Sequence, residues 1–74
     1  MKITINLFAT LRNNRFDSAQ KDFPSGMTIS NVLETLAIPE NEAAIIFVNG
    51  RHAEPYSELH DGDTLSIFPP IGGG

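Results

Sequence analysis

A chain of 74 residues makes one domain whose single core supplies only about 3 to 5 kcal/mol without staples, which disfavours an internal substrate cavity and a self-contained enzyme. Nine acidic residues against five basic give a net charge of −4, which opposes a nucleic-acid partner and suits a protein partner with a basic face. With no cysteine, no apolar run of membrane-spanning length and a start, Met1 to Ile5, too short and alternating for a signal peptide, the chain is expected in the cytoplasm, free of disulfides and of any membrane.

Lys2 to Phe8 alternates strictly, with Ile3, Ile5 and Leu7 on one face, and predicts a half-buried strand. Thr10-Leu11-Arg12 suggests a short helical turn, and Ser18 to Phe23 is a weak second strand hairpinned to the first. Thr28 suits an N-cap, and the spacing of Ile29, Val32, Leu33, Leu36 and Ala37 lays one apolar stripe along a helix that Pro39 ends. After a polar connection at Glu40-Asn41-Glu42, the unbroken apolar run Ala43 to Val48 predicts a central strand covered on both faces. Asn49-Gly50 signals a type I′ turn into a short strand at Arg51-His52-Ala53, Ser57-Glu58-Leu59 is read as one helical turn, and Asp61-Gly62-Asp63 launches the last strand, Thr64 to Phe68. The sum is an α+β roll over residues 1–68, closed if the first and last strands pair in parallel.

Two combinations of polar residues are weak candidates for chemistry. His52 and His60 with Glu58 and Asp61 lack the clustered spacing of a metal site, so no metal is expected. Ser57, His60 and Asp61 lack the turn that frames a nucleophilic serine, and the phenylalanines are not interleaved with basic residues as base-stacking platforms are.

The tail, residues 69–74, carries more information. Pro69 and Pro70 cannot donate to a sheet ladder and stop the strand, while Gly72, Gly73 and Gly74 offer a bare backbone able to thread a narrow channel and present a terminal carboxylate. Extended, Pro69 to Gly74 reaches about 20 Å beyond the sheet. The competing reading is an inert linker stub. Alternation turns Leu65 and Ile67 to one side and Phe68 to the other, so Phe68, Pro69, Pro70 and Ile71 are candidates for an apolar partner-docking patch at the tail's base.

Taken together, Leu7 to Arg12, Thr28 with Val32-Leu33 and Leu36, Val48-Asn49-Gly50, Leu59, Asp61-Gly62-Asp63, Ile67-Phe68-Pro69-Pro70 and Gly73-Gly74 resemble the ubiquitin-like sulfur carriers of the MoaD/ThiS family, closest to the small subunits of molybdopterin synthases. The resemblance implies a β-grasp fold with a mixed four- to five-stranded sheet, and a carrier rather than an enzyme. It further implies that a ubiquitin-activator-like enzyme, using ATP and Mg²⁺, adenylates Gly74, and that a sulfur donor protein converts the adenylate to a thiocarboxylate. The large catalytic subunit of a synthase would then accept the threaded tail and pass the sulfur to a molybdopterin or tungstopterin precursor; the carrier itself binds no cofactor. The chain departs from the family in its short stretch between Leu36 and Ile45, in Asn13 where an acidic residue is common, and in the third glycine, Gly72. Alternatives are a thiamine-pathway carrier, a protein modifier conjugated through Gly74, and an interaction module whose tail does nothing.

Overall fold

The computed structural model describes residues 1–70. Five strands, β1 (Lys2–Leu7), β2 (Ser18–Asp22), β3 (Ile45–Val48), β4 (Arg51–His52) and β5 (Thr64–Phe68), form one sheet in the order β2-β1-β5-β3-β4, crossed on one face by the helix α1 (Ile29–Thr35). β1 and β5 run parallel, with Ile5 opposite Leu65 and Leu7 opposite Ile67, so the pairing that closes the roll is present. Ile3, Ile5, Leu7, Leu65, Ile67 and Ile46 therefore project to the same side, where Ile29, Val32 and Leu33 of α1 meet them in a continuous core. Each of those side chains is at most 3% exposed. No helix among the described residues is long and apolar enough to cross a membrane.

β5 is the middle strand; β3 is interior as well, between β5 and β4, but it is not covered on both faces, which corrects the expectation for Ala43 to Val48. Ala43 and Ala44 precede the strand, and within β3 only Ile46 is buried while Ile45 and Phe47 are half-buried on the sheet's outer face. The apolar run thus reflects an aromatic outer surface in place of a second covering layer. β2 pairs antiparallel with β1 as a hairpin. Its weak sequence signal has a plain cause, since apart from a half-buried Ala19 the strand is exposed along its length and needs no apolar alternation.

Thr28 caps α1 in a reciprocal box, its hydroxyl accepting from the Asn31 N–H at 3.2 Å and its own N–H donating to the Asn31 side chain at 3.1 Å. Ser57 to Leu59 is not a helical turn. The carbonyls of Pro55 and Ser57 accept the N–H groups of Ser30 and Ile29, and the Leu59 N–H donates to Met27 O. An extended strip there satisfies the free donors of the helix start and delivers Leu59 to the core, which a helical turn would not do.

Ala37 also falls outside the predicted stripe. The helix stops at Leu36, Ala37 takes a left-handed φ of 58°, and the Ile38 N–H bonds back to Leu33 O at 2.9 Å while the Ala37 N–H reaches Glu34 O at 3.0 Å. This is a Schellman ending in which buried Ile38 replaces Ala37 as the apolar contact. Arg15 completes it by donating to the carbonyls of Leu36 and Ala37. Alanine in this conformation costs about 1 to 2 kcal/mol, against a smaller entropic penalty for glycine. Ala37→Gly is expected to stabilise the domain by up to about 1 kcal/mol, read as a higher urea midpoint at unchanged slope.

Candidate functional site

The site is the rim where β1 and β5 end side by side and the tail departs. Phe68, the last residue of β5, is opposite Ile45, and its carbonyl accepts the Ala44 N–H at 3.0 Å. Its ring lies face to face on Phe8, with centroids 4.2 Å apart and planes 8° from parallel, and Phe47 meets it edge-on at 5.9 Å. His52 continues the row by touching Phe47 edge-on at 6.0 Å. Each aromatic contact of this kind contributes about 0.5 to 1.5 kcal/mol beyond its buried area. Phe8, Phe47 and Phe68 are all half-buried, so the row still presents apolar surface to solvent.

The chain after β1 is bent to support this row. Ala9 adopts a φ of 52°, unusual for a residue with a side chain, and a 3-10 turn over Ala9–Arg12 follows with Leu11 buried as its anchor. The reversal brings Arg12 back over Phe8, 5.5 Å from the ring centroid, where its Nε donates to Leu7 O at 2.8 Å and lies 3.6 Å from Asp17. One short turn therefore places a guanidinium over the ring that carries Phe68.

Pro69 is half-buried and Pro70 exposed, both beyond the last strand. Of the proposed docking residues, Phe68 lies on the outer face as its alternation predicts, while Ile71 and the tail glycines Gly72, Gly73 and Gly74 lie outside the described residues.

At the opposite end of β5, the polar signature residues form a latch. Asn49 and Gly50 both have positive φ, 52° and 80°, as a type I′ turn requires. The Asn49 side chain donates to Asp63 at 2.9 Å and accepts the Thr64 N–H at 2.9 Å, while Asp63 also accepts the His60 N–H at 2.8 Å. Asp61 accepts the Lys2 N–H at 2.6 Å, and Gly62, at φ 88°, donates to Lys2 O. Asp-Gly-Asp and Asn-Gly thus tie the β3–β4 turn and the start of β1 to the start of β5. Their carboxylates are structural acceptors.

The weak candidates are not assembled. Among the described residues, no three His, Asp or Glu side chains are placed to hold a metal ion. His60 Nδ1 is 3.9 Å from Asp63, Asp61 is committed to Lys2, and His52 sits beside Phe47. Among the described residues no hydrogen bond joins Ser57 to His60 or Asp61; the Ser57 backbone bonds to Glu54 and Ile29 instead. Sequence reasoning missed Phe8, Phe47 and Arg12. The available signal was parity: Phe8 is out of phase with Ile3, Ile5 and Leu7, and Phe47 with Ile46, which turns both rings to the side that Phe68 occupies.

The ThiS family matches residues 5–74 of the chain. No curated protein matches it. Among solved structures, the chain is similar to small archaeal modifier protein 1 of Haloferax volcanii, at 23% identity over 95% of this chain and 98% of that one, with a TM-score of 0.75. It is also similar to a putative molybdopterin converting factor subunit 1 of Pyrococcus furiosus, at 26% identity over 96% and 99% of the two chains, with a TM-score of 0.74. A complex of subunits 1 and 2 of the molybdopterin-converting factor of Helicobacter pylori contributes a third likeness, at 20% identity over the full length of both chains and a TM-score of 0.66. With a five-stranded mixed sheet, one covering helix and a match that extends to the last glycine, the chain belongs to the ThiS family and has its ubiquitin-like β-grasp fold.

Proposed function

We propose that the protein is a sulfur carrier whose Gly74 is adenylated and then converted to a thiocarboxylate, which supplies sulfur for the dithiolene of a molybdopterin or tungstopterin. The observation that carries this reading is that the family match runs through Gly74 itself. Likeness to a putative molybdopterin converting factor subunit supports the pterin branch over thiamine synthesis.

The chemistry needs little from the globule. A glycine carboxylate attacks the α-phosphorus of ATP in the activating enzyme, pyrophosphate leaves, and the poor electrophile becomes a good one. Sulfur delivered by the donor protein at the sulfide level then attacks the acyl carbon, forming the C–S bond as the bond to the AMP oxygen breaks, with no change of oxidation state. The resulting thioacid is ionised at neutral pH and carries a soft nucleophilic sulfur for the synthase's large subunit to use. The carrier provides an unbranched backbone and a docking surface, for which the half-buried rings of Phe47 and Phe68 offer apolar area on its outer face.

Conjugation of Gly74 to a lysine shares the adenylate step, and the fold is common to a modifier protein. Absence of basic residues from Phe68 to Ile71 favours the carrier. Purified with its activating enzyme, the wild-type chain is expected to support ATP–pyrophosphate exchange, and a chain extended beyond Gly74 is not. Exchange that persists with the blocked terminus counts against the reading.

A further inference from the structure

The contacts around Phe68 do two separable things. Phe47 meets the Phe68 ring edge-on from the β3 side and with Ile45 spreads apolar surface over the outer face, whereas Phe8 and Arg12 contribute a face-to-face stack on that ring from the β1 side. That stack consists of a guanidinium over Phe8 and Phe8 face to face with Phe68. Phe68 is the residue from which Pro69 and Pro70 leave, and neither proline can be tied to the sheet through an N–H. The direction of departure is therefore set by how firmly Phe68 is held.

On the main chain Phe68 is secured toward β3, through the Ala44 N–H on its carbonyl. Toward β1 the paired register stops at Leu7 opposite Ile67, so Phe68 has no ladder partner there. The Phe8 ring supplies the missing support on that side. Ala9 keeps a strained left-handed backbone at this point, and the reversal it allows is what returns Arg12 to Leu7 O and to the Phe8 ring. Local strain retained at a tail's root fits a device that fixes orientation.

We infer that Phe8 and Arg12 are positioning residues that aim the C-terminal tail by clamping Phe68, distinct from the residues that supply docking area. Pro69 and Pro70, each with a fixed φ, transmit the aim outward as a stiff spacer. The inference rests on the carrier reading for its consequence in catalysis, and on geometry alone for the aim itself.

Both levels are tested with full-length chains. Phe8→Leu retains apolar bulk and removes the stack, Phe8→Tyr restores it, and Phe47→Leu removes docking surface with the Phe8–Phe68 contact left in place. In ATP–pyrophosphate exchange with the activating enzyme, Phe8→Leu is expected to lower kcat by about tenfold or more at nearly unchanged KM, the behaviour of a misplaced reacting group. Phe8→Tyr is expected to match wild type, and Phe47→Leu to raise KM with little change in kcat. A rise in KM alone for Phe8→Leu makes Phe8 a docking residue and overturns the inference. In the free protein, the one-bond Cα–Hα residual dipolar couplings of Pro69 and Pro70 are expected to shrink in Phe8→Leu while those of β1 and β5 are retained. Couplings equal to wild type overturn the aim directly, whatever the activating enzyme does. Absence of exchange by the wild-type chain itself, with its couplings intact, defeats the carrier reading instead.

Discussion

Deleting Gly73 and Gly74 is expected to reduce adenylation and sulfur transfer to background while leaving the urea and thermal transitions where they are. The truncated chain still ends in a carboxylate, on Gly72, so the loss is one of reach. Two residues of extended backbone span about 7 Å. A misplacement of about 1 Å at a reacting centre can cost a hundredfold in rate, and a shortfall several times larger leaves no productive geometry at the activating enzyme. Stability is untouched because the core lies among Ile3, Ile5, Leu7, Leu65, Ile67 and the α1 stripe, all within the described domain. Lost transfer accompanied by a lowered unfolding midpoint would instead assign the glycines a structural part.

Leu65→Ala is expected to unfold most of the protein at room temperature. Leu65 is fully buried on β5, the central strand, beside Ile5 of β1 and Val48 of β3. Truncating a buried leucine to alanine costs about 2 to 5 kcal/mol, because the lost transfer energy is joined by a cavity the neighbours only partly fill. Domains of this size have about 3 to 5 kcal/mol in total. The mutation therefore consumes most or all of the stability, and far-ultraviolet circular dichroism in a urea series should show little or no folded baseline. Thr64→Ala, one position before Leu65 and so on the strand's other face, is expected to move the midpoint only slightly.

The contrast between these two results separates the globule from its tail, and the sequence shows the same division. Strands and helix that bury an apolar face were legible from their periodicity: Ile3-Ile5-Leu7, Leu65-Ile67 and Ile29-Val32-Leu33 all project where their spacing places them. The Asn49-Gly50 turn and the Thr28 cap were legible because only a few residues tolerate those conformations. Local rules failed where a long-range partner decides the structure. Ser57 to Leu59 is drawn out by the donors at the start of α1, Ala37 is turned aside so that Ile38 can be buried, and Phe47 on the outer face of β3 packs against Phe68 of β5.

For the site, the division is sharper. Phe68 was found from its alternation and its place before two prolines, since both features are local. Phe8 is sixty positions away in sequence and reaches Phe68 only through the parallel β1–β5 register, which composition does not encode. Arg12 reads as an ordinary surface charge until the left-handed turn at Ala9 is known. Asp61 entered only the two weak combinations and Asp63 neither, and in the fold both satisfy backbone and amide donors.

Intact-mass spectrometry of the chain co-produced with its activating enzyme and sulfur donor tests the central claim most directly. The account predicts a mass increase equal to replacement of one oxygen by sulfur, mapped by fragmentation to the carboxyl end of Gly74. An unchanged mass while the activating enzyme is turning over ATP would contradict it.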